Sequence, residues 1–265
     1  MSLKLFTRQL HANLAAACIV GAVIALYAVC VTMMYDPALG ESLDAMKDAM
    51  PELFAAFGMA GSSTTLADFM INYLQQFLLV CLPLVLVALA TRRMLAQPLE
   101  TGSLSCVISL PLGRHRIIAT YLCALFALLA GLLIVTTAIE VGCAEAFFPG
   151  ELDTAALLRA NAGLLPLWSF LGAVCFLAVI ASRRADRGFA TGLGICLASY
   201  LATMLADMAE GWEFLDAINP LAFYDAYGLA AGEPNAAAGC VVLAATALAL
   251  AAVAALVFGR RDFSI

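Results

Sequence analysis

Six apolar runs, each long enough to cross a bilayer, constrain this chain more than any other feature. A hydrocarbon core about 30 Å thick takes about 20 apolar residues as a helix, and such runs lie at 14–34, 69–90, 117–139, 163–181, 189–206 and 236–258. Backbone amides inside a bilayer must be paired within the protein, so runs of this length are read as helices. Only 12% of the 265 residues are charged, where a soluble domain carries about 25%. Every connection is short, so no water-soluble domain is left over. The expected fold is all-α: one polytopic membrane domain of six transmembrane helices over residues 1–265. The first run is longer than a signal-peptide core and lacks a convincing cleavage site, so it is read as retained.

The net charge of −6 has to be sorted by side. Lys4, Arg8, Arg92, Arg93, Arg114, Arg116, Arg183, Arg184, Arg187, Arg260 and Arg261 flank spans on one face, and only Lys47 and Arg159 fall on the other. Most acids do the reverse. The positive-inside rule then makes both termini cytoplasmic. The basic residues call for no nucleic acid.

Residues 92–116 form the longest inner connection. Pro98 can open a helix, because its missing N–H falls among donors that are unpaired there. Leu99, Cys106, Val107 and Leu110 recur at helical spacing, with Gly102 and Ser103 on the same side, and Pro111 breaks the pattern. A short helix lying under the membrane is expected. Residues 1–13 place Leu3, Phe6 and Leu10 on one face and Lys4, Arg8 and His11 on the other. That suits an amphipathic helix in the plane of the inner leaflet; the alternative is a basic start that only sets orientation.

Three further places carry candidate functions beside plainer readings. Glu140 is an acid at the end of the third run, and an acid within a membrane is a functional candidate. It lies roughly 34 Å from Ile117 at about 1.5 Å per residue, beyond the core, where interfacial water would reach it. Gly188 and Gly192 form a G-x-x-x-G continued by Ser199, which lets backbones approach closely. The contact could lie within the chain or with a second subunit. Between the fifth and sixth runs, aromatics including Trp212 and Tyr224 mix with acids around Pro220. Short helices dipping into the outer interface are expected there, as an outer gate, an aromatic anchor or both.

Catalytic constellations are missing. There is no H-E-x-x-H, G-x-S-x-G or P-loop, and His11 and His115 are the only histidines. The nine cysteines contain no C-x-x-C and read as small apolar packing residues. No catalytic, metal or cofactor residue is assigned. Ion-driven carriers show broken spans or buried charges near the midplane. Here the spans are clean apart from Pro83 and Pro166, so any energy for transport is expected from outside the chain.

Four stretches together resemble a known family. Residues 50–58 look like its first outer loop. Leu99-Glu100-Thr101-Gly102-Ser103-Leu104, followed by Ser109-Leu110-Pro111-Leu112-Gly113-Arg114, is similar to its E-x-G-T-L … L-S-x-P-x-x-R stretch. Ile218-Asn219-Pro220-Leu221 resembles its L-S-P-F turn, and Phe258-Gly259-Arg260-Arg261-Asp262-Phe263 its terminus. The family is the type-2 ABC transporter permease, the six-span membrane subunit of bacterial ABC exporters. Ser103, Gly113 and Asn219 depart from its usual residues.

The resemblance implies a second permease copy or a sister permease, and an ABC ATPase subunit as a separate chain that supplies ATP and Mg. It implies a cytoplasmic coupling helix between spans two and three. By position, Glu100, Thr101, Gly102, Leu104 and Ser105 would dock on the ATPase, while Pro111 and Arg114 set the return into the membrane. The expected function is export of an amphiphilic or hydrophobic substrate across the cell membrane. The rivals are a membrane scaffold or sensor and an ion-gradient-driven carrier.

Overall fold

The structure is a computed structural model and describes residues 2–36, 45–51, 54, 65–108, 113–208 and 219–260. Among these residues every regular element is helical. The long helices are α1 (Leu3–Met34), α2 (Leu66–Glu100), α4 (Arg114–Phe147), α5 (Thr154–Ala181), α6 (Ala185–Met208) and α8 (Pro234–Arg260). Two short helices, α3 (Leu104–Ile108) and α7 (Ala226–Ala231), lie in the connections. Each of the six apolar runs falls within one long helix, and all six helices are long and apolar enough to cross a membrane.

α5 is the hub. It packs on α8, α6, α2, α7 and α4, while α1 pairs mainly with α4. It is the most buried of the six and α6 the least. Trp168 and Phe176 on α5 are fully buried. α5 starts cleanly because Asp153 caps it, its carboxylate accepting from the amides of Ala155 and Ala156 at 3.0 Å. Small residues set its spacing to α6. A Cβ on Gly188 would come within 2.6 Å of the Ala178 carbonyl oxygen, and one on Gly192 within 3.0 Å of the Cys175 Cα. The glycine pair thus faces α5 of the same chain. Cys175 and Cys196 meet across this seam, Sγ to Sγ at 3.7 Å.

Pro83 sits inside α2 and cannot donate to the carbonyl of Leu79, four residues back. Trp168 on α5 supplies that hydrogen bond instead, its Nε1–H donating to the Leu79 oxygen at 2.7 Å. A proline that would leave a bare carbonyl in an apolar interior is tolerated because a neighbouring helix pairs it.

Two expectations need correction. The N-terminal segment is not a separate in-plane helix. α1 runs unbroken for 32 residues, about 48 Å at 1.5 Å per residue, because no proline or glycine pair interrupts it between Leu3 and Met34. Its buried face carries Leu5, Asn13, Ala16 and Val20, with Leu3 exposed. Nor is there one helix under the membrane from Pro98 onward. α2 continues through Arg92 as a π turn (Arg92–Ala96) and ends at Glu100. Gly102 then takes φ +70°, the left-handed conformation that closes helices at low cost for glycine. Helical spacing across that residue could not distinguish one helix from two.

Trp168→Phe should lower stability in detergent by about 1–3 kcal/mol, the cost of a buried unpaired carbonyl. In a Pro83→Ala background residue 83 can donate to Leu79, so the same change should cost less. A double-mutant cycle by thermal unfolding measures this, and equal losses in both backgrounds would refute the account.

Candidate functional site

Two regions hold the candidate residues, one at each end of the bundle. The first is the basic end, where α2 passes into α3. Glu100, Thr101 and Gly102 are exposed there together with Ser103, while Leu104 is only 2% exposed and anchors α3 in the core. The turn is locally braced. Thr101 Oγ1 donates to the Gln97 carbonyl at 3.0 Å and lies 3.0 Å from Ser103 Oγ. Asp186, at the start of α6, pushes the exposed Glu100 carboxyl above its ordinary range. Arg114 opens α4 and is half-buried. Pro111 lies outside the described residues, and so does the side chain of Ser105. His115 joins the same end to the last span, with Nδ1 3.0 Å from the Ala255 carbonyl and its ring packed on Gly259, where a Cβ would collide with it.

The second region is at the other end, and most of it was not anticipated. A π turn in α2 (Ile71–Gln75) re-aims Asn72 and Gln75 into the bundle, a distortion that often marks functional sites. Gln75 Nε2 donates to Asn161 Oδ1 at 2.7 Å. Asn161 Nδ2 donates to Thr137 Oγ1 at 3.0 Å and to Glu140 Oε2. One fully used amide on α5 therefore ties α2, α4 and α5 together. Gln75 and Glu140 are fully buried and Asn161 nearly so.

Glu140 corrects the expectation that interfacial water reaches it. It is 0% exposed, and Tyr224 of the 219–231 connection lies near enough to feel its charge. Its Oε1 and the Oε1 of Gln75 have no hydrogen-bond partner among the described residues.

The connection 219–231 forms a cap over this network. Asn219 carries the turn: its Oδ1 accepts from the Leu221 amide at 3.2 Å, and its Nδ2 donates to the Ser199 carbonyl at 2.8 Å and to Thr203 Oγ1 at 2.7 Å. Pro220 opens the 3-10 turn Pro220–Phe223, a first position that needs no amide hydrogen. Ser199 of the small-residue stripe therefore serves the cap through its backbone. Tyr227 donates to Asn72 Oδ1 at 2.7 Å, and Arg159 Nε to the Ala230 carbonyl at 3.2 Å. Tyr224 and Leu229 press on Gly163 of α5, where a Cβ would meet the tyrosine ring at 2.9 Å. Burial, with nearby Cys240 and Glu140 adding, raises the Tyr224 hydroxyl well above its ordinary range and keeps it neutral. Trp212 lies outside the described residues.

Sequence spacing did not group Gln75, Thr137, Glu140 and Asn161, since they come from three helices. The available signal was Gln75 within the run 69–90, Glu140 just after the run 117–139 and Asn161 just before the run 163–181. No protein-family model matches the chain, and no curated protein matches it.

Asn219→Leu removes three hydrogen bonds that hold the cap to α6 and close its own turn. It should cost about 1–3 kcal/mol and raise amide exchange over 219–231 ahead of α5, as hydrogen–deuterium exchange would report. Unchanged exchange in the cap would refute its role as anchor.

Proposed function

We propose that this chain is the membrane-spanning permease subunit of an ATP-binding cassette transporter. A second copy or a sister permease completes the pathway, and a separate ATPase subunit supplies the energy from ATP and Mg. The observation that carries this reading is the exposed, braced turn at 100–103. It lies at the basic end, between spans two and three, and bears the residues that resemble the family's docking stretch. Its exposed side chains are anchored below by Leu104 and flanked by α6. A push on such a turn would be passed to α2, α4 and α6 together. With the basic end in the cytoplasm, both termini lie there too, and the site is the bacterial cell membrane.

An apolar cleft of about 520 Å³ between α1 and α4, lined by Leu14, Cys18, Ala22, Leu128, Leu132 and Val135, supports a hydrophobic or amphiphilic substrate. A second reading, an ion-driven carrier, is favoured by one observation, the enclosed carboxyl of Glu140.

Purification from native membranes in mild detergent should bring down a polypeptide with a P-loop at near-equal stoichiometry. Glu100→Ala leaves an exposed position without a side-chain charge, and Gly102→Pro imposes φ near −65° where the chain needs a positive angle. Both should lose the partner or uncouple its ATPase from transport, at normal expression. Retained partner and transport in both variants would reject the docking assignment. Transport that persists without ATP and collapses with the proton or sodium gradient would favour the carrier.

A further inference from the structure

The buried network leaves two acceptors facing no donor. Glu140 Oε1 and Gln75 Oε1 are both enclosed and both belong to side chains positioned by Asn161. The Tyr224 hydroxyl, also fully enclosed and without a partner among the described residues, belongs to the cap above them, close enough to feel the Glu140 charge. Thr136, one turn before Glu140 on α4, adds another enclosed hydroxyl of the same kind. Uncompensated carboxylates and amide oxygens in an apolar interior are costly, and a bound cation or a proton removes that cost. A single carboxylate among hard oxygen donors matches one positive charge. Divalent ions call for more acidic ligands, and among the described residues no group of three His, Cys, Asp or Glu side chains is placed to hold a metal.

We propose that Glu140, Gln75 and Asn161, closed over by Tyr224, form a binding site for one small monovalent cation, a proton or a sodium-sized ion. Its occupancy holds the 219–231 cap on α2, α4 and α5. The titratable groups facing it are Cys143 on α4 and Tyr224 on the cap, with Asp225 and Tyr227 on the cap and Cys240 on α8 beside Tyr224. Arg159 is committed to the Ala230 carbonyl. Asp225 caps α7 by accepting from the Gly228 amide. The site does not depend on the permease reading, because it concerns binding rather than the energy source.

Thermal unfolding of the purified protein, from about pH 5 to about pH 9 in choline or in sodium buffer, tests it. An empty site leaves an enclosed carboxylate without a counter-charge, which a bound proton or alkali ion supplies. Wild-type stability in choline should therefore fall as protons are withdrawn with rising pH, by several degrees in Tm more than in Glu140→Gln, which keeps the shape without the charge. A fall that is the same in choline and sodium identifies the proton. A fall that sodium abolishes, by binding the folded carboxylate, identifies the alkali ion. Parallel curves for wild type and Glu140→Gln in both buffers would overturn the proposal. Should Glu140→Gln not fold, Asn161→Leu keeps the carboxylate and removes its donor. The fall in choline should then extend to higher pH, and a curve parallel to wild type would overturn the proposal equally.

Discussion

Inside hydrocarbon no water is available to pair a polar atom, and the interior of this protein is arranged around that constraint. α5 meets it twice. Near its middle, Trp168 pairs the carbonyl that Pro83 strands on α2. A turn or two toward the acidic end, Asn161 spends both amide hydrogens and its oxygen on three side chains from two other helices. Neither contact is large in net energy, at about 1 kcal/mol for a typical hydrogen bond. Each is expensive to lose, and each fixes the register of α5 against its neighbours where apolar packing alone would tolerate sliding.

Close approach is the second requirement, and glycines supply it. α6 lies on α5 because Gly188 and Gly192 present no side chain to the backbone of Ala178 and Cys175. The cap lies on α5 because Gly163 leaves room for Tyr224 and Leu229, and on α8 because Gly239 leaves room for the Phe223 carbonyl. At the opposite end Gly259 accepts the ring of His115. The two ends of the bundle are thus joined to the same central helices. A displacement of the 100–103 turn and a change in the Glu140 network would act on shared elements, α2 and α4. That gives a physical route between them without requiring a defined chain of residues.

Much of the architecture was legible in advance. Apolar length alone located all six long helices, because the bilayer offers few other solutions. Turn chemistry was less legible. The spacing of Leu99, Cys106 and Val107 fits one helix, yet a left-handed Gly102 divides it. The basic, alternating start at Leu3–His11 fits an in-plane helix, yet with no breaking residue it simply continues α1. In both cases local pattern was compatible with two structures, and backbone continuity decided.

The sequence by itself determined that this chain is built from six membrane-length helices, that basic residues gather at one end, and that no nucleotide-binding or hydrolytic motif is present. Those properties are additive along the chain, so composition and period suffice. Tertiary structure alone decided that Glu140 is enclosed rather than wetted, that Gln75 and Asn161 meet it, and that Tyr224 closes over them. They depend on which faces of α2, α4 and α5 turn toward one another. That choice is made by pairing and close packing among residues as much as 155 positions apart, and no local pattern encodes it.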